Sequence, residues 1–217
     1  MRELPLAALQ ALASGRCKPR DFIWIVARDR DTGLPVADGQ WSGLGRLDAQ
    51  VLDPDTGGAV TRTFHGSGTL TQVSGISLVS VIQVQTATIH MSHVHDRVNA
   101  LMRGYDVKQA RVEIFRGLLS LDTEQLVAPA FCRFVGFVDE APIFKPPQNG
   151  DGGHVELRCK SHTQELLRSS AELRSDESQQ RRFPGDRFFQ HVHVVGQWEH
   201  FVGRAAGRLP STAGADR

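Results

Sequence analysis

The chain has 217 residues, 40% hydrophobic and 23% charged, with 25 Lys and Arg against 24 Asp and Glu for a net charge of +1. That composition excludes a disordered chain, and the balanced charge lacks the basic bias with which nucleic-acid binders meet phosphates. No apolar run reaches the ~18–20 residues that span a bilayer, the opening stretch with Glu3 does not make a secretory signal, and three scattered cysteines, Cys17, Cys132 and Cys159, imply no disulfide framework.

In chain order, Leu6, Leu9 and Leu12 recur at helical spacing, Pro5 suits a first helical position and Gly15 a stop. A short helix is expected there, docked by its leucines. Phe22 to Arg28 (FIWIVAR) is aromatic and β-branched and predicts a strand. A long Gly/Asp stretch, Leu34 to Gly58, ends in the strong turn signal Asp53-Pro54-Asp55-Thr56-Gly57-Gly58. Val60 to Gly66 resumes as a strand paired with what precedes that turn.

Within Ile76 to Met91, the run Val79 to Ile89 predicts a strand with one wet face. Ser92 to Arg103 changes period, with Val94, Val98, Leu101 and Met102 on one face. Ser92 is the expected N-cap of this helix and Gly104 its stop. Strands return at Ala110 to Gly117, Phe131 to Asp139 and His154 to Lys160. The last alternates cleanly: Val155, Leu157 and Cys159 face one way, His154, Glu156, Arg158 and Lys160 the other. Beyond it, Ser161 to Leu173 has helical spacing, Ser175 to Arg182 is wholly polar, and Pro184-Gly185 breaks the chain. Asp186 is placed to cap a short helix carrying Phe188, Phe189 and Val192, and the end after Pro210 reads as frayed. The expected layout is a mainly β (α+β) domain over residues 1–160 and a helical and irregular arm over 161–217.

Little in the chain nominates chemistry. His90, His93, His95 and Asp96, with His191 and His193, make a metal inventory. Yet a helix beginning at Ser92 turns His93 and His95 apart by about 200°, and no H-E-x-x-H or C-x-x-C is present. Cys159 on an apolar face reads as inert. Asp139-Glu140 form no obvious pair, and turn chemistry accounts for Asp53 and Asp55. Arg174, Arg181, Arg182 and Arg187 alternate with Glu172, Asp176, Glu177 and Asp186, a mixture suited to protein contacts. The expectation is a chain without catalytic residues, bound metal or cofactor.

The segment from Arg174 to Val192 (RSDESQQRRFPGDRFFQHV) resembles a motif near the end of small tail proteins of long-tailed phages and prophages, R-S-D-x-S-Q-x-x-R-x-P-G-D-x-F-F after a β-rich domain. Arg174, Ser175, Asp176, Ser178, Gln179, Arg182, Pro184, Gly185, Asp186, Phe188 and Phe189 match it. More diffusely, residues 4–192 are similar in element order to hub and minor tail proteins, including those of gene transfer agents. The resemblance implies a tail-tube-like β-barrel or sandwich, with the chain acting as a baseplate hub-like subunit in a ring at the tail tip of the virion. It implies as partners further copies of the chain in a trimer, the distal tail protein, the tail tube, the tape measure and tail-tip or fibre proteins, with assembly in the host cytoplasm. Longer relatives carry a Cys-rich iron–sulfur-like domain, for which this chain lacks the cysteines. Trp198 and Phe201 extend the arm's apolar set beyond the motif. A distal tail protein and a metal-dependent tail-associated hydrolase are the alternatives.

Overall fold

The computed structural model describes residues 4–66, 69–77, 79, 81–92, 95–145, 153–167 and 173–197. It divides between Leu167 and Arg168 into two compact units. The first contains α1 (Leu6–Ser14), β1 (Cys17–Asp29), β2 (Pro35–Trp41), β3 (Arg46–Leu52), β4 (Ala59–His65), β5 (Leu70–Val73), β6 (Thr86–Ser92), α2 (Asp96–Gly104), β7 (Tyr105–Ser120), β8 (Phe131–Glu140), β9 (Ile143–Phe144) and β10 (His154–Ser161), closing on a 3-10 turn at His162–Leu167. The second contains α3 (Asp176–Arg182) and a 3-10 turn at Val195–Gln197.

The strands form one mixed 10-stranded sheet in the order β3-β4-β2-β1-β7-β8-β10-β6-β5, with β9 beside β10. Between the named strands the described pairings are antiparallel, apart from the β2–β4 contact at Gln40↔His65. The sheet is open, so the expected barrel is not formed, and a sandwich-like arrangement fits better. The two ends of the strand order never pair with each other. β3 is instead tied down by the isolated bridge Val51↔Ala130, where the Leu52 amide donates to the Ala130 carbonyl and the Ala130 amide to that of Gln50, both at 2.8 Å. That covers part of an edge that would otherwise offer free backbone groups.

β1 and β7 carry the architecture. Successive side chains of a strand point to opposite faces, and both faces of β1 are covered. Ile23, Ile25 and Ala27 join one core with Val112 and Ile114 of β7, Phe134 and Val138 of β8, Val155, Leu157 and Cys159 of β10, Ala87, Ile89 and Met91 of β6, and Val98 and Leu101 of α2. Phe22, with Trp24 packed alongside, joins a second core of Trp41, Ala49, Val51, Phe64, Phe115, Leu119 and Ala130. The unbroken apolar run of β1 follows from this double burial, whereas β10 alternates because only one of its faces enters the core. Gly136 serves the β8–β10 approach: a Cβ there would collide with the Lys160 carbonyl.

The second core contains an ion-pair network. Glu113 on β7 is only 3% exposed. Its carboxylate accepts from Arg62 of β4 at 2.5 Å and from Arg111 at 2.8 Å. Arg62 also reaches Asp53 at 3.3 Å and lies over the Trp24 ring at 5.0 Å, and Arg111 reaches Asp55 at 2.7 Å. Asp53 and Asp55 therefore do more than shape their turn. Arg111 holds the Asp55 carboxyl below the usual carboxylate range, chiefly through that close contact.

Several local expectations are corrected. Pro5 is the N-cap of α1, one residue before the helix. Leu6, Leu9 and Leu12 face water, Leu6 at 71% exposure, and α1 buries only Ala8. Leu34 to Gly58 contains β2 and β3, which its Gly and Asp residues concealed from a composition reading. Of the described residues in Val79 to Ile89, those from Thr86 onward are strand; Val79, Val81 and Ile82 are exposed and lie outside the strands. The second helix starts at Asp96, because Ser92 is still pairing with His154. Its cap is His95, whose Nδ1 accepts from the Arg97 amide at 3.2 Å.

Two substitutions test this arrangement in chemical denaturation. Phe115→Ala, emptying a fully buried ring position, is expected to cost about 3–5 kcal/mol. Glu113→Ala, removing the partner that Arg62 and Arg111 share, is expected to cost a similar ~3–5 kcal/mol; a loss below 1 kcal/mol would mean that Asp53, Asp55 and water satisfy both guanidinium groups.

Candidate functional site

The motif-bearing unit is built from local hydrogen bonds. Ser175 has extended backbone and its Oγ accepts from the Ser178 amide at 3.2 Å, so it caps α3. Asp176 and Glu177 occupy the first turn and Arg181 and Arg182 the last, each charge placed favourably against the helix dipole. The polar stretch Ser175 to Arg182 is thus a helix whose start is written in its cap. Pro184-Gly185 then reverses the chain, with Gly185 at φ 90°, a conformation that a side chain disfavours.

Asp186 closes the turn from both sides. Its Oδ2 accepts from Gln179 Nε2 at 2.6 Å and its Oδ1 from the Phe188 amide at 2.9 Å. These bonds, the Gln179 one foremost, hold its carboxyl below the ordinary 3.8. The residue expected to cap a helix over Phe188 to Val192 instead fixes a turn, and that segment runs as successive turns.

Ser175, Ser178, Gln179, Pro184, Gly185 and Asp186 are therefore brought together as one folding device. What they display is apolar. Phe188 is 80% exposed and meets Phe189 edge-on at 4.9 Å between centroids. Leu173, Phe183, Val192 and Val195 are also exposed. Among the motif's remaining residues, Asp176 Oδ2 accepts from Gln180 within α3, and Arg174 and Arg182 flank and end the helix. Trp198 and Phe201 lie outside the described residues, as does the end after Pro210.

His90 and His95 of the metal inventory lie on different elements. His93 lies outside the described residues, His95 is a helix cap, Asp96 begins α2, and His191 and His193 belong to the other unit. His90 instead meets His154 and Glu156 across the β6–β10 pair. The signal for this was half legible, since the alternation in β10 already put His154 and Glu156 on one face. A second acidic group, Asp53, Asp55 and Glu113, is ion-paired with Arg62 and Arg111. Burial pushes the Cys159 thiol up to about 12, which leaves it protonated and unreactive at neutral pH.

No protein-family model matches the chain, and no curated protein matches it. Among solved structures it is similar to a chain of the virion of a native gene transfer agent particle, with 14% identity and a TM-score of 0.49 over 79% of this chain and 50% of that one. The chain thus spans about half the length of that virion chain, and a likeness of this degree assigns no role.

The turn makes a pH prediction. Because the folded Asp186 carboxyl lies below 3.8, its contribution is complete above the unfolded value and is lost as pH falls through the folded one. The Gln179 side-chain amide resonance is expected to titrate with a midpoint below 3.8 and to lose that transition in Asp186→Asn. A midpoint at or above 3.8 would show that the bond does not persist in solution.

Proposed function

We propose that the chain is a structural subunit of a phage-type tail, a baseplate hub-like protein that forms a ring, a trimer, at the tail tip. The ring would join the tail tube and distal tail protein to the tape measure and the tip or fibre proteins below, within the virion, after assembly in the host cytoplasm. The observation that carries this reading is the stretch Arg174 to Phe189. It resembles the tail-protein motif at the positions named above, and it folds into a capped helix and turn that leave Phe188 exposed, packed edge-on against the half-buried Phe189.

The physics of assembly supports the same reading. A segment this short that spends Ser175, Gln179, Gly185 and Asp186 on holding a turn, yet leaves Phe183 and Phe188 in water, gains most by contact with another surface. Burying each large aromatic is worth ~1.5–3 kcal/mol, enough for several to offset the ordering of an arm. The exposed leucines of α1 add a second apolar face on the β-rich unit. We assign Arg174, Ser175, Asp176, Ser178, Gln179, Arg182, Pro184, Gly185, Asp186, Phe188 and Phe189, with Trp198 and Phe201, to the assembly arm, and no catalytic role to any residue.

Deleting residues 174–217, or the milder pair Phe183→Ser and Phe188→Ser, is expected to convert rings to monomers in light scattering while the far-ultraviolet spectrum of the β-rich unit persists. Electron microscopy of the rings distinguishes the three-fold symmetry of a hub from the six-fold symmetry of a distal tail protein. Purified tails that lack the chain by mass spectrometry would end the proposal.

A further inference from the structure

β6 and β10 run antiparallel with Glu156 directly opposite His90, and with His154 two residues before Glu156. The strand repeat sends all three side chains to one face, while their neighbours Ile89, Met91, Val155 and Leu157 enter the core from the other. A slip of one residue would expel that whole apolar set, so core packing sets the register that brings the three polar groups together.

The three offer ligand atoms all within 4.8 Å of one another. Glu156 Oε1 lies 3.3 Å from His154 Nε2 and 3.8 Å from His90 Nδ1. Its other oxygen, Oε2, is engaged by Arg158 at 3.3 Å, which orients the carboxylate with Oε1 toward the imidazoles. Arg158 is itself paired with Glu140 at 2.9 Å, so its charge is offset locally. Phe144 of β9 stacks on His154 at 4.8 Å with the ring planes 20° apart, limiting that imidazole's rotation.

We propose that His90, His154 and Glu156 form a site for a divalent transition metal of the zinc class, clipping β6 to β10. Two imidazole nitrogens and one carboxylate oxygen are a donor set that such ions take, at ligand distances of ~2.0–2.2 Å. Side-chain rotation draws the three atoms inward, and any proton on His154 Nε2 moves to the ring's other nitrogen or to water as the ion binds. Arg158 and Phe144 act as the outer partners that hold ligand orientation. Both imidazoles are partly exposed, which leaves the fourth position open to water. The site is independent of the assembly arm and of the tail assignment.

The test uses the full-length chain, stripped with EDTA and titrated with zinc chloride by calorimetry and by NMR of the histidine rings. One tight equivalent per chain is expected, with the ring signals of His90 and His154 moving together and saturating at that equivalent. His90→Gln and His154→Gln are each expected to weaken binding about 100-fold or more, beyond the ~10–100-fold typical of outer partners, while a His191→Gln/His193→Gln variant binds as wild type. The proposal is overturned by absence of zinc binding, by binding that leaves the His90 and His154 signals of the wild-type protein unmoved, or by binding that follows His191 and His193 instead.

Discussion

The pairing of β1 with β7 is the constraint on which the rest of the first unit depends. It runs from Cys17↔Ser120 to Asp29↔Tyr105, interrupted by a bulge between Val26 and Arg28. The ribbon contributes to two cores at once, with Ile23 and Ile25 on one side and Phe22 and Trp24 on the other. A strand buried on both faces cannot shift by a residue without exchanging the contents of two cores, so its register is specified twice. β2, β3 and β4 then extend the sheet on one flank, and β8, β10, β6 and β5 on the other.

The same ribbon explains why a carboxylate is buried in an otherwise apolar region. Glu113 lies on the side of β7 that faces the aromatic core, and is tolerated there because Arg62 and Arg111 satisfy both of its oxygens. Buried charge is expensive unless paired, and Arg62 earns its place twice, since its planar group also covers Trp24 and Phe115. The pairing ties β4, β7 and the turn before β4 together. That turn is consequently part of the core's electrostatics rather than a bare connection.

The second unit follows another logic. Its order comes from a helix cap, a reversal at Pro184-Gly185 and a carboxylate shared between Gln179 and the Phe188 amide, all within about a dozen residues of sequence. Such bonds are modest individually, and the unit's described apolar side chains stand mostly in water. The described segment presents its aromatic and aliphatic side chains as a surface.

Much of the framework was legible in the residues alone. FIWIVAR, the alternating His154 to Lys160, the turn at Asp53 to Gly58 and the strand Phe131 to Asp139 follow from periodicity and turn chemistry, which are local properties. β2 and β3 were not legible, because Gly39, Gly43, Gly45 and the aspartates read as loop until neighbouring strands supply their partners. Nor was the exposure of the α1 leucines, since helical spacing shows that a face exists but not what covers it. The His90, His154 and Glu156 cluster was not legible either, because His90 meets the other two through strand register and not through nearness along the chain. The sequence by itself determined the strands with clear periodicity, the turn at Asp53 to Gly58 and the chain break at Pro184-Gly185, because these are local properties. Tertiary structure alone decided that the sheet stays open, that β1 divides two cores and which polar groups converge, because those outcomes depend on pairings between residues far apart along the chain.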